Sequence, residues 1–247
     1  MRICTAMAFA AGIVFLPHAG YAGQARTGGG AARFEVTSLR AVRPTIQKLI
    51  ADLQKKDQAA AKADIEAFDA AWIGVEVYVN TRNMDMYNDI EHNWEAKLTK
   101  ELGEPNADLA GALSDAQALL KAYDGMLDYV AKAAPLNAKF DDVARLRIER
   151  SHLRDVQNFL KAGKVADAKK AWMAFDDNWD NIEDLVKARS RDAYDNIEKN
   201  MVTLEKQLMP AKPDIDMVGG TIAAINMDYN KIVQQITMEA RNANTAQ

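Results

Sequence analysis

Ala67–Glu91 reads AFDAAWIGVEVYVNTRNMDMYNDIE, and Ala174–Glu198 reads AFDDNWDNIEDLVKARSRDAYDNIE. Set side by side without a gap, 107 residues apart, the segments are identical at eleven of twenty-five positions. Ordinary residue usage would give about one or two identities by chance. The shared pattern is A-F-D-x-x-W-x-x-[VI]-E-x-x-V-x-x-R-x-x-D-x-Y-x-x-I-E. At about 100° per residue from Phe68, the residues Trp72, Val75, Val79 and Ile90 fall within roughly 40° of Phe68. That is an apolar stripe with the period of a helix, and the second copy repeats it. An all-α protein built twice over is expected.

Working outward, Thr45-Ile46 up to Leu53 lines up with His152-Leu153 up to Leu160. Tyr123 meets Tyr229 once one residue is dropped. The expected architecture is an elongated helical bundle of two tandem three-helix repeats, 37–135 and 136–247, packed as one domain. Proline and glycine mark six helices: Pro44–Lys56, Gln58–Leu102, Ala107–Ala133, Phe140–Ala162, Val165–Met209 and Pro213–Asn242. The second and fifth are long enough that a break is foreseen around Arg82–Met86 or Arg189–Asp192.

Residues 1–25 have the layout of a secretory signal peptide. Arg2 supplies the positive start, Ile3–Leu16 an apolar core, and Gly20-Tyr21-Ala22 a small-x-small cleavage site. Residues 26–36 are expected to form a flexible lead-in, which overlaps the Gly-rich run from Gly23 to Arg33. The mature chain keeps only His92 and His152 and has no cysteine, because Cys4 lies in the leader. Disulfide frameworks, cysteine-based zinc or iron–sulfur sites, c-type haem and cysteine catalysis are thereby excluded. The net charge of −4 leaves no electrostatic footprint for nucleic acid. No later run is apolar enough to span a bilayer. A periplasmic or secreted protein is expected.

Beside the core stripe, Asp69, Glu76, Tyr87 and Glu91 share one flank, and Asp176, Glu183, Tyr194 and Glu198 repeat it. On one straight helix Glu76 and Glu91 would lie roughly 22 Å apart. A shared ion would therefore need Glu76 to meet Glu183, Glu91 to meet Glu198, or a third helix to contribute. Carboxylates with a phenol are hard oxygen donors, suited to iron or another divalent or trivalent cation. The same glutamates also fit a solvated flank of an amphipathic helix. Glu149-x-x-His152 has di-iron spacing, but Val42 and Thr45 occupy the matching places in the first copy, and a solvated face is the plainer reading. His92 and Glu95 read the same way. Arg82–Asp85 and Arg189–Asp192 have the spacing of surface ion pairs. The nine mature methionines read mostly as core filler. No phosphate loop, nucleophile elbow or H-E-x-x-H is present, and the chain is not read as an enzyme.

At W-x-x-[VI]-E and Y-x-x-I-E the sequence resembles helical extracytoplasmic domains of bacterial iron uptake. These are the periplasmic region of the FTR1-type iron permeases and, more distantly, the imelysin/EfeO-like proteins. The resemblance covers the two long helices. It implies iron or another cation bound through Glu76, Glu91, Glu183 and Glu198, and a membrane permease as partner. The imelysin G-x-H-x-x-E signature and the permease R-E-x-x-E motif are missing, so the resemblance implies a soluble accessory and no transporter. Two functions stand at this point: a metal-binding accessory of cation uptake, or a metal-free bundle that binds a partner protein or small ligand.

Overall fold

The computed structural model describes residues 33–245; the expected signal peptide and residues 26–32 of the lead-in lie outside them. The described residues are helical, with no strand among them. In chain order the helices are α1 (Phe34–Gln54), α2 (Gln58–Val75), α3 (Val77–Asn80), α4 (Met84–Asn88), a π-helix (Asp89–Glu95), α5 (Ala96–Gly103), α6 (Leu109–Lys132), α7 (Lys139–Lys161), α8 (Val165–Trp179), α9 (Glu183–Lys187), α10 (Arg191–Leu208) and α11 (Ile215–Thr245). No helix among them is long and apolar enough to cross a membrane.

α1 packs on α2 and α6, α7 packs on α8 and α11, and α2 packs against α7. The apolar stripe is the core: Phe68, Trp72, Val75, Val79 and Ile90 are buried, as are Phe175, Trp179, Val186 and Ile197. Aromatic rings hold it in register. Phe68 stacks on Trp72 at 6.2 Å, and Trp72 on Tyr87 at 6.3 Å. Phe175 stacks on Trp179 at 5.9 Å, and Trp179 on Tyr194 at 6.4 Å. Behind each ladder a buried tyrosine hydroxyl donates to a helix carbonyl, Tyr123 to Leu39 at 2.8 Å and Tyr229 to Leu146 at 2.7 Å.

Both long helices are broken where a break was foreseen, and the same residues break them. Asn83 caps α4 by accepting from the Met86 amide, and Ser190, 107 positions on, caps α10 by accepting from the Ala193 amide. The residue before each cap closes the preceding helix. Arg82 donates to the Tyr78 carbonyl and Arg189 to the Leu185 carbonyl, both at 2.9 Å. These arginines are not surface partners of Asp85 and Asp192. Arg82 is ion-paired with buried Glu35, and Arg189 bonds Glu239 at 3.0 Å.

The start of the first helix differs from expectation. α1 begins at Phe34, so the lead-in is shorter, and Pro44 lies inside the helix. Pro44 is exposed, and its missing N–H leaves one helix carbonyl without its usual partner. Arg33 anchors the early start by donating to the Val130, Ala131 and Ala133 carbonyls at the end of α6.

Candidate functional site

The breaks turn each long helix back on itself, which changes the geometry of the carboxylate row. Trp72 and Glu91 would lie about 28 Å apart on a straight helix. Instead the Trp72 indole donates to Glu91 Oε2 at 2.6 Å. Trp179 donates to Glu198 in the same way. Glu76, Tyr87 and Glu91 therefore gather within one half, and the spacing expected between Glu76 and Glu91 is overturned. Glu76 bonds Arg147, and Glu91 and Glu198 each bond the indole of their own copy.

The first half brings polar groups of α2 and the π-helix together. Burial raises the Glu76 carboxyl above its ordinary pKa; Arg147 opposes this, and Glu91 and Asp69 add to it. Tyr87 is raised to about 12 by burial and by the nearby Glu76 and Glu91 charges, and it hydrogen-bonds Glu76. Burial also raises Glu95, with Asp69 and Glu91 contributing and the Thr99 hydroxyl opposing. Thr99 donates to Glu95 Oε1 at 3.0 Å. Two arginines of α7 answer the negative charge: Arg147 pairs with Glu76 at 3.0 Å and Arg154 with Asp69 at 2.9 Å.

The π-helix has a sequence origin. Up to Glu91 and Glu198 the copies run 107 apart; Leu98 and Leu204, Leu102 and Leu208, and Tyr123 and Tyr229 run 106 apart. The first copy thus carries one extra residue between Glu91 and Leu98. A helix that absorbs one residue without breaking widens locally to i→i+5 bonding. The π-helix spans Asp89–Glu95 and carries Glu95 as a buried group. His92 stays exposed and meets the Tyr87 ring at 6.3 Å.

The second half arranges the same row differently. Tyr194 hydrogen-bonds Glu183, which raises the phenol. Neither arginine contact recurs: no Lys or Arg among the described residues forms an ion pair with Asp176 or Glu183. Asp176, Asp177, Asp180 and Asp184 are exposed and Glu183 half-buried, so α8 and α9 present five carboxylates on one face. In the first half the same positions are Asp69, Ala70, Ile73, Val77 and Glu76, and that face lies against α7.

His152 is buried and Glu149 half-buried, against the expected solvated face, because α7 is covered by α2, α8 and α11. Glu149 Oε2 lies 3.6 Å from His152 Nε2, and burial lifts the Glu149 carboxyl to about 7. The methionines also differ from expectation. Met84, Met173, Met209, Met217, Met227 and Met238 are exposed, and only Met126 and Met201 belong to the buried core.

Among the described residues no three His, Cys, Asp or Glu side chains are grouped to hold a metal ion. Glu91 and Glu198 accept indole protons, and Asp69 and Glu76 accept guanidinium protons. The part sequence reasoning missed is the α7 arginine pair, although Arg147 and Arg154 stand at i, i+7, the spacing of a shared helix face. No protein-family model, curated protein or solved structure matches this chain.

Proposed function

We propose that this is an exported helical interaction module, assembled from two three-helix repeats, whose α8–α9 face receives a cationic helix of a protein partner. One observation carries the reading. The equivalent face of the first half already grips a helix, through Glu76–Arg147 and Asp69–Arg154. The second half keeps both carboxylates and the tyrosine that orients one of them, yet turns them outward. Three added aspartates, Asp177, Asp180 and Asp184, replace apolar contact residues and strengthen the field a basic helix would meet. Catalysis has no support of this kind, since no acid–base or nucleophile set converges there.

A synthetic peptide of residues 139–161, which carries Arg147 and Arg154, tests the reading by fluorescence anisotropy. Binding at low salt that weakens as salt rises, and that Asp176→Asn with Glu183→Gln abolishes, is the expected result. No binding at low salt sinks it.

A second reading is cation binding as an accessory of iron or related uptake, with a membrane permease as partner. What favours it is the gathering of Asp69, Glu76, Glu91 and Glu95 around the π-helix, where burial already disfavours the charge on Glu76 and Glu95. A cation would relieve that conflict. It would first have to displace Arg147 and the Trp72 indole from the carboxylates they bond.

A further inference from the structure

The helix α7 grips α2 with a defined set of residues, and each has a counterpart 107 positions earlier on α1. Arg147 corresponds to Arg40, Ile148 to Ala41, Ser151 to Pro44, Arg154 to Gln47 and Asp155 to Lys48. On α7 this face is covered by α2. On α1 all five counterparts are exposed. The chain therefore carries the two halves of its own internal joint in open form. One is the acidic α8–α9 face, and the other is the outer face of α1 that carries Arg40.

We infer that the partner of the α8–α9 face is α1 of a second copy of this chain, docked head to tail as α7 docks on α2. This rests on the interaction reading above and names its occupant.

The residues fit the joint. Arg40 would take the place of Arg147 and meet Glu183, which already has a Tyr194 bond as Glu76 has one from Tyr87. Gln47 would donate to Asp176 where Arg154 donates to Asp69. The close approach can be kept. In the internal joint Gly74 faces Ile148, and a Cβ on Gly74 would come within 2.9 Å of Ile148 Cγ1. In the open joint Asn181 stands for Gly74 and Ala41 for Ile148, so one side grows while the other shrinks. Charge is complementary as well. Among the described residues none of the five carboxylates of the α8–α9 face has an ion pair, while Arg40 is exposed on the α1 face; Lys48 beside it is already paired with Asp52 and Asp64.

The open joint differs from the internal one in balance. Asp177, Asp180 and Asp184 replace Ala70, Ile73 and Val77, so it has little apolar area and leans on charge. Such a contact is weak and salt-sensitive. Being heterologous, it leaves one open face at each end of every assembly and builds a series in place of a closed pair. The solvated outer faces of terminal repeats that end a solenoid are the competing outcome.

Sedimentation velocity of the purified chain over a wide concentration range, at low and high salt, reads the difference. The proposal expects a concentration-dependent ladder of species at low salt that collapses to monomer at high salt. Arg40→Glu and Glu183→Arg alone should each weaken association by about tenfold or more. An equal mixture of the two single variants alternates native joints with charge-reversed ones and should recover the ladder that each variant alone loses. The double variant in one chain restores a reversed pair and should recover the ladder. Arg40 is exposed and Glu183 half-buried, and circular dichroism checks that each variant stays helical. A wild type that is monomeric throughout, or association that Arg40→Glu leaves unchanged, overturns the proposal. Binding of the 139–161 peptide by a monomeric wild type would sink only the choice of occupant, whereas loss of both would sink the interaction reading as well.

Discussion

At the scale of residues, the eleven repeated identities are mostly a packing grammar. Phe68, Trp72 and Tyr87 stack, Glu91 accepts the indole proton, and Arg82 closes the break; the second copy repeats each step. Asp85 and Asp192 stand in the first turn after each cap, where a negative charge favours the helix N-terminus. Only Asp69, Glu76 and their copies differ in use between the halves. Glu149 supports a prediction about pH. Its carboxyl is raised from 4.5 to about 7 by burial, with the Asn178 hydrogen bond opposing. Between those values the folded chain binds the proton better than the unfolded chain does. Stability is thus lost as pH rises from 4.5 through about 7. Asp155, raised by burial to about 6, adds a loss in the same direction at lower pH. Glu149→Gln is expected to flatten the upper part of this fall and to stabilise the chain above neutral pH by on the order of 2 kcal/mol. Urea unfolding on both sides of the window measures it, and an unchanged slope would contradict the burial argument.

At the scale of elements, the two hairpins α1–α2 and α7–α8 turn on equivalent residues with different chemistry. Gly163 ends α7 with φ of 71°, and Lys56, 107 positions earlier, ends α1 with φ of 57°. The bonds match too: the Asp57 amide returns to the Asp52 carbonyl at 3.0 Å and the Lys164 amide to the Phe159 carbonyl at 2.8 Å. Glycine adopts a left-handed backbone without strain, and lysine does so at a cost of about 1 kcal/mol. Lys56→Gly is therefore expected to raise stability by about 0.5–1 kcal/mol, read as a higher urea midpoint with an unchanged slope. A lower midpoint would mean that the entropy glycine adds to the unfolded chain outweighs the relieved strain.

At the scale of the whole molecule, the α2–α7 contact joins the halves, and its tightest point is Gly74 against Ile148. Gly74→Leu places a side chain where Ile148 already sits, and is expected to lower stability by about 1–3 kcal/mol in thermal unfolding. The matched change Asn181→Leu, at the exposed counterpart, should stay within about 0.5 kcal/mol. Equal effects at the two positions would show that the α2–α7 contact is not the close joint described. The same asymmetry, one acidic face covered and its copy open, is what gives the molecule a surface to offer.

Periodicity in Ala67–Glu91 and its copy was enough to identify helices, the core stripe and the two breaks, because local spacing and capping chemistry determine them. The dropped residue ahead of Tyr123 was visible too, but its outcome as a π-helix depended on the ladder that holds Glu91 to Trp72 from one side and Leu98 in the core from the other. The row of carboxylates was legible as a row, while its chemistry was not. Reversal at Asn83 and Ser190 brought together groups that a straight helix keeps apart. Which carboxylates meet arginine and which meet water was decided by α7 packing on α2 alone, a contact between segments more than seventy residues apart that no local pattern encodes.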